Sequence, residues 1–305
     1  MPRLAEKRLT QTSIPLRHAI VVVTGASTGI GAATARELGR RGFHVLAGVR
    51  RDADGDAIRA ANVEPSRLDI TNEAEIAMLV KRIADDPERR PIRALVNNAG
   101  IQVNAPVEAL PLSEWRRLFE VNLFGHVAMT QALLPRLIES RGMVVNVSSV
   151  GGKVAMAGYG AYAGSKFALE AVSDALRREV ADFGVKVVVI EPGAVTTEMT
   201  GRLVIAAERI TSGMTAEQRG RYDALMQAVI AQAQTFTRNG EGLPAEEVGR
   251  VIAAAIISKR PRTRYTVGLD AAIIVRLARC VSDRMLDGLL ARTLKRHVPK
   301  ALPTP

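Results

Sequence analysis

The sequence predicts an α/β protein, a Rossmann-like doubly wound parallel sheet of about seven strands forming a single domain. Short runs of β-branched residues alternate with longer stretches of helical periodicity from Ala19 onward. That order builds a parallel sheet with helices on both faces. A glycine-rich turn, Thr24-Gly25-Ala26-Ser27-Thr28-Gly29-Ile30-Gly31, joins the first run to the first helical stretch. The 305 residues are 47% hydrophobic, ample for one large core.

Residues 19–23 form an apolar run that reads as a buried strand. The helix after the turn runs to about Arg41 and is stopped by Gly42. Residues 43–49 are the second strand, 52–62 a helix, 67–69 a short strand, 73–83 a helix and 94–96 a strand. A long helix over 113–139 precedes a strand at 143–147. A helix over 159–183 precedes another at 185–190, and a seventh strand falls at 264–267.

Residues 198–243 break this rhythm, with helices jointed at Ser212-Gly213 and a loop at Asn239-Gly240-Glu241-Gly242. They leave the carboxyl end of the sixth strand, where doubly wound sheets bind ligands. A substrate-covering lid is the expectation, and an ordinary structural insertion the alternative. Residues 271–297 carry Ile273, Ile274, Leu277, Val281, Met285, Leu286, Leu289, Leu290 and Leu294 at mostly helical spacing. This stretch packs on the body or a second subunit, or lies with its basic flanks on a membrane surface. The expected organisation is an N-terminal extension over 1–18, the nucleotide-binding domain over 19–268 and a basic amphipathic C-terminal tail over 269–305.

The formal net charge of +11 is concentrated at the ends. Arg3, Lys7, Arg8 and Arg17 face only Glu6 in the first 18 residues, and residues 271–305 hold seven cations against two acids. A nucleic-acid binder carries its basic stripe on the folded core with a reading motif, so that class is excluded. Charge at the ends points to solubility, an acidic partner or an anionic membrane. One cysteine, Cys280, allows no internal disulfide and implies a reducing compartment. Residues 1–17 have no continuous apolar core, so no signal peptide is expected. No apolar stretch is long enough to span a bilayer. A cytoplasmic protein, with membrane association through the tail as the further reading, is expected.

The glycine-rich turn is a nucleotide site by its context. Gly25 permits the tight turn, Gly29 lets backbone approach a pyrophosphate at the helix N-terminus, and Gly31 allows close helix packing. Tyr162 and Lys166 supply reaction chemistry. Four apart on a helix, they share one face. An ammonium beside a phenol favours the phenolate and lowers its pKa from about 10, making Tyr162 a candidate acid and base. Tyr159 competes, but only Tyr162 has a lysine one turn on. His126 is read as a core or helix-face histidine without a role. No cluster has metal-ligand spacing, so a metal-independent mechanism is expected. No Gly-x-Ser-x-Gly elbow surrounds Ser149.

The Thr24-to-Gly31 turn, Asn97-Asn98-Ala99-Gly100, Asn122, Ser149, Tyr162 with Lys166, and Pro192-Gly193 occur together and in order. This set resembles the short-chain dehydrogenase/reductase family over roughly residues 19–268. The resemblance implies Tyr162 as acid/base, Lys166 as its tuner and ribose contact, Ser149 as the group bonding the reacting oxygen, and Asn122 as holder of a relay water. Ser148 competes with Ser149, and the interval to Tyr162 favours Ser149 by resemblance alone. Implied cofactor contacts are Gly25, Ser27, Thr28, Gly29, Ile30 and Gly31 in the turn, Asp69 with Ile70 at the adenine, and Asn97, Ala99 and Gly100. Tyr162, Lys166, Pro192, Gly193, Val195 and Thr197 complete that set. For Asp69, Ile70 and the Asn97 turn a purely structural role stands as the alternative. Val49 falls where NAD users of the family place an acid, and Arg50 follows it. The absence of a carboxylate and the offer of a guanidinium predict NADP(H) over NAD(H).

Candidate pocket segments 150–158 and 198–243 are dominated by small and apolar residues, so an apolar ketone or alcohol is the expected substrate. A looser likeness, in 46–55, 150–158, 261–268 and the basic tail, is to the branch acting on steroids, retinoids and related lipid alcohols. A 3-ketoacyl thioester reductase is the alternative within the same chemistry. A catalytically silent NADP(H)-binding regulatory protein is the alternative from another class. The resemblance also implies a homodimer or homotetramer through the helices bearing Asn122 and Tyr162.

Overall fold

The computed structural model describes residues 18–238 and 242–297. The N-terminal extension up to residue 17, most of the 239–242 loop and residues 298–305 lie outside the described residues.

Seven parallel strands form one sheet. They are β1 (Ile20–Val23), β2 (His44–Val49), β3 (Val63–Arg67), β4 (Ile92–Asn97), β5 (Met143–Val147), β6 (Lys186–Pro192) and a last strand, Arg264–Val267. The spatial order is β3-β2-β1-β4-β5-β6 followed by the last strand. The order reverses between β1 and β4, and their carboxyl ends open the crevice where such sheets bind ligands.

The central strands are buried on both faces because helices cover each side. Helix α1 (Gly29–Arg40) follows β1, α2 (Asp52–Ile58) follows β2, and α3 (Glu73–Ala84) follows β3. Val21 and Val23 point into one core with Ala32, Ala35 and Leu38 of α1. Ile20 and Val22 point into the other with Ile76 and Leu79 of α3. That is the period-two alternation of a strand.

The predicted helix over 113–139 is three pieces. Helix α4 (Leu112–Phe119) passes through a π turn (Glu120–Phe124) into α5 (Gly125–Ser140). A 3₁₀ turn (Val150–Gly152) follows β5, and α6 (Gly160–Glu179) starts at Gly160 rather than Tyr159. The third strand was expected at 67–69. It lies at Val63–Arg67, includes Glu64 and Pro65 and is only partly buried. It is the edge strand, where proline and polar residues are tolerated.

After β6, a two-residue strand β7 (Val195–Thr196) leads into α7 (Glu198–Ser212) and α8 (Ala216–Arg238). The joint falls at Gly213, as read from the sequence. Strand β8 (Leu243–Pro244) pairs with β7, α9 (Ala245–Ile257) packs beside α1, and Arg264–Val267 is β9. The C-terminal stretch is two helices, α10 (Leu269–Cys280) and α11 (Asp283–Lys295).

Candidate active site

The glycine-rich turn is held open by its own backbone. Gly25 has φ +62° and Gly29 φ +56°, a region that disfavours residues with a Cβ. A Cβ at Gly31 would lie 2.3 Å from the Gly25 carbonyl oxygen and 2.5 Å from Asn98 Nδ2. Asn98 braces the turn, its Nδ2 donating to the carbonyls of Thr24 (2.9 Å) and Gly25 (3.1 Å). The Thr24 hydroxyl accepts from the N–H groups of Asn98 and Ala99 at 2.9 and 3.0 Å. Sequence reasoning quoted Asn98 but gave it no place at the site. Its adjacency to the turn comes from β1 and β4 being neighbours.

Thr28 caps α1 without a side-chain hydrogen bond to the helix amides. A cleft of about 600 Å³ opens there, lined by Ser27, Thr28, Gly29, Arg36, Thr197 and Glu246 among others. Thr197 sits over the turn, its methyl 3.0 Å from where a Gly29 Cβ would be. A strand end, a glycine turn and an open helix N-terminus fit a dinucleotide's pyrophosphate. At the end of β2, Arg51 is committed to Asp54 at 2.9 and 2.7 Å. Val49 is buried and Arg50 exposed, with no hydrogen bond from Arg50 to another described residue.

Other predicted contacts are spent inside the protein. Asn97 is fully buried, and its Nδ2 donates to Asn146 Oδ1 (2.9 Å) and Thr130 Oγ1 (3.1 Å). Its side chain ties β4 to β5 and α5. Ile70 is buried against Gly125. Asp69 Oδ1 accepts from the Thr71 N–H and hydroxyl at 2.9 and 2.7 Å. Pro192 ends β6, and the Gly193 N–H donates to the Val267 carbonyl at 2.9 Å.

The candidate reacting groups meet where β5 ends and α6 begins. Ser149 caps the 3₁₀ turn, its Oγ accepting from the Gly151 N–H at 3.0 Å. Its hydroxyl and the Tyr162 ring both flank Gly151, and it pulls the phenol pKa down. The Ser148 hydroxyl is buried and finds no partner among the described residues. The geometry thus sets Ser149, not Ser148, against Tyr162. Lys166 is 4% exposed, and its Nζ donates to the Val147 carbonyl at 2.8 Å.

The expected lowering of the phenol pKa by Lys166 is absent from the chain's own groups. Lys166 Nζ stands 6.0 Å from the Tyr162 ring centroid. Burial pushes the phenol up, with Ser149 pulling the other way. Burial also lowers Lys166 to about 8, against an opposing pull from Glu170. Desolvation is the largest influence on both groups.

Asn122 lies on the π turn, and its amide is fully used. Its Nδ2 donates to the Ile101 carbonyl (2.9 Å) and Ser165 Oγ (3.1 Å), and its Oδ1 accepts from the Ile101 N–H (2.9 Å). Tyr159, bonded to Asn104, is pushed by burial to about 12. His126 is buried, with its Nε2 donating to the Ala99 carbonyl at 2.6 Å, and desolvation lowers it to about 3. It is a neutral core histidine.

A charged network joins the elements that carry these groups. Glu170, one turn beyond Lys166, accepts from Lys153 Nζ (2.6 Å) and Arg264 Nε (3.0 Å). Both cations also pair with Glu191, which precedes Pro192, at 3.6 and 3.4 Å. Arg264 further pairs with Asp174 at 2.9 Å. Sequence reading found none of this, because the partners lie up to 94 residues apart. Among the described residues no group of acids, histidines or cysteines could hold a metal ion.

A doubly wound sheet with a nucleotide turn at its switch point and a Ser–Tyr–Lys group beside it defines a dinucleotide-dependent oxidoreductase. The short chain dehydrogenase family model matches residues 19–207, and the chain belongs to that family. It is 33% identical to mouse (Mus musculus) retinol dehydrogenase 7 over 281 residues, 90% of this chain and 88% of that one. It is 34% identical to rat (Rattus norvegicus) 17-beta-hydroxysteroid dehydrogenase type 6, over 90% of this chain and 89% of that one. A solved short chain dehydrogenase from Burkholderia cenocepacia J2315 in complex with NADP is 26% identical. It superposes with a TM-score of 0.69, over 96% of this chain and 100% of that one. The relatives put the chain on the retinoid and steroid branch, as an enzyme that interconverts an alcohol and a carbonyl with a nicotinamide dinucleotide.

Proposed function

We propose that the chain is an NADP(H)-dependent oxidoreductase of an apolar, lipid-like ketone or alcohol, with Tyr162 as acid and base. The observation that carries this is Ser149 and Tyr162 together against Gly151, with Lys166 buried one helical turn on and a glycine-rich nucleotide turn in the same sheet. Bound nicotinamide supplies or accepts the hydride. Toward reduction, the Tyr162 hydroxyl gives its proton to the carbonyl oxygen while the Ser149 hydroxyl donates a hydrogen bond to that oxygen. Toward oxidation, Tyr162 takes the alcohol proton. Burial keeps the phenol protonated, which suits the donor role. Lys166 holds positive charge near the phenol and offers its ammonium to a ribose hydroxyl. Asn122, its side chain consumed by Ile101 and Ser165, would hold a relay water through its backbone carbonyl.

Gly25, Ser27, Thr28, Gly29, Ile30 and Gly31 would hold the pyrophosphate, with Thr197 beside Gly29 and Ala99 beside Gly25; Val195 and Gly100 complete the set. The relatives do not decide the cofactor; Arg50 is what supports NADP(H). Its guanidinium has no competing hydrogen bond among the described residues, whereas Arg51 is held by Asp54. The comparison is kcat/KM with NADPH and NADH, in wild type and Arg50→Ala. A charge-assisted contact is worth about 1.5–3 kcal/mol, so the NADPH preference should fall roughly 10- to 100-fold. Equal values with both cofactors, unaltered in the variant, would show the cofactor reading to be wrong.

The retinol and steroid relatives support an apolar substrate. Residues 198–243 act as its lid. Arg209 pairs with Glu114 at 2.8 Å, and Arg221 and Tyr222 both bond Glu108, latching α7 and α8 to the segment before α4 and its first turn. Large exposed apolar side chains, Phe124, Phe167 and Val172, support a homodimer or homotetramer through the π turn and α6.

The outer side of α10 and α11 exposes Ile273, Leu277 and Met285 among Arg276, Arg279 and Arg284. That combination supports peripheral contact with an anionic membrane. No helix among the described residues is long and apolar enough to cross one. Liposome flotation that survives truncation at Asp270 would exclude this contact.

A further inference from the structure

Helix α11 follows the family-matched segment by many residues and was read from the sequence as a tail. Between it, the lid helix α8 and the loop after the 3₁₀ turn lies a second cavity of about 390 Å³, within the range of small-molecule sites. Met156 from the loop, Leu225 and Ala228 from α8, and Leu290 and Leu294 from α11 line it. Asp287 and Lys295, both exposed, stand at its edge, and Gln232, 8% exposed, adds an amide to the wall.

Helix α11 has no fully buried residue. Leu286, Leu290 and Leu294 recur every fourth position, on one stripe, and each is only partly covered. A helix docked on a finished core buries such a stripe; this one fronts open space. Met156, Leu225, Leu294 and Tyr162 all pack on the same buried cluster of Tyr159, Ala163 and Val229. The cavity and the phenol therefore share a wall.

We infer that α11 closes one side of the substrate cavity, which takes the extended apolar body of a ketone or alcohol whose oxygen reaches Tyr162. This rests on the oxidoreductase reading above and adds to it a selectivity for chain length.

The test is a series of straight-chain alkan-2-ones with NADPH. In wild type, kcat/KM rises about fourfold for each added methylene until the cavity is filled, then levels off. Ala291→Phe narrows the cavity from the exposed side of α11 and brings the plateau to shorter chains. Leu294→Ala widens it and moves the plateau to longer ones. Retained NADPH affinity, read by fluorescence, establishes that each variant is folded. A flat series in an active wild type, or one plateau shared by both folded variants, overturns the inference alone. No turnover on any member with either cofactor overturns the oxidoreductase reading and this inference with it.

Discussion

Replacing Glu170 by glutamine separates the charge of the network from its shape. Only Glu170 Oε2 is engaged, by Lys153 and Arg264, and Oε1 has no partner among the described residues. Glutamine can keep its oxygen at the engaged position and place its amide nitrogen at the other. Arg177 also pairs with Asp174, at 3.0 Å, so the local balance moves from three carboxylates with three cations to two with three; Lys153 keeps Glu191, and Arg264 keeps Asp174 and Glu191. Two charge-assisted hydrogen bonds become bonds to a neutral acceptor, each weakened by about 1 kcal/mol. The total of about 2 kcal/mol corresponds to a Tm lowered by roughly 3 °C in a chain of this size.

A second readout reports on the site. Burial lowers Lys166 to about 8, and Glu170 pulls the other way. Without the carboxylate, Lys166 falls further and loses its proton at lower pH. If its ammonium serves the reaction, the alkaline limb of kcat moves to lower pH. Differential scanning calorimetry and a kcat–pH profile on Glu170→Gln give both answers. A lowered Tm with an unmoved limb would refute the electrostatic link to Lys166. A Tm within about 1 °C of wild type would refute the energetic estimate as well.

Three further outcomes follow from the geometry. Gly31→Ala forces a Cβ against the Gly25 carbonyl and Asn98; overpacking of about 1–3 kcal/mol at that turn should weaken dinucleotide binding about tenfold or more by titration. Glu108→Ala releases Tyr222 and Arg221 from the lid latch and should raise KM for apolar substrates with Tm unchanged, the contact being exposed. Asp86 is held near about 2, chiefly by its hydrogen bonds from Arg90. Because that folded value lies below the unfolded one, its stabilisation is full above pH 4 and is lost as pH falls toward 2. The loss is about 2 kcal/mol and should be missing from the acid titration of Asp86→Asn.

Six of the seven sheet strands were legible because parallel strands buried on both faces read as continuous β-branched runs, such as Val187, Val188, Val189 and Ile190. The third was displaced because an edge strand need not be apolar, and Glu64-Pro65-Ser66 carries no such signal. The π turn at Asn122 was not legible, since one extra residue in a helical turn leaves the apolar period almost intact. Motif positions on one element, Tyr162 and Lys166 above all, could be placed from spacing alone. What those groups experience could not. The burial that raises the phenol and lowers the ammonium depends on elements packed from elsewhere in the chain. So does the Lys153–Glu170–Arg264 network. The C-terminal helices were found as an amphipathic period, but only the fold brings Leu294 to the cluster around Tyr159.

The central claim is that a proton passes through Tyr162 as the hydride is transferred. Stopped-flow single turnover of NADPH with a ketone substrate, in wild type and Tyr162→Phe at matched cofactor saturation, tests it most directly. The account predicts a hydride-transfer rate about 10²- to 10⁴-fold lower in the variant, with NADPH affinity kept. A rate within a few-fold of wild type would contradict it.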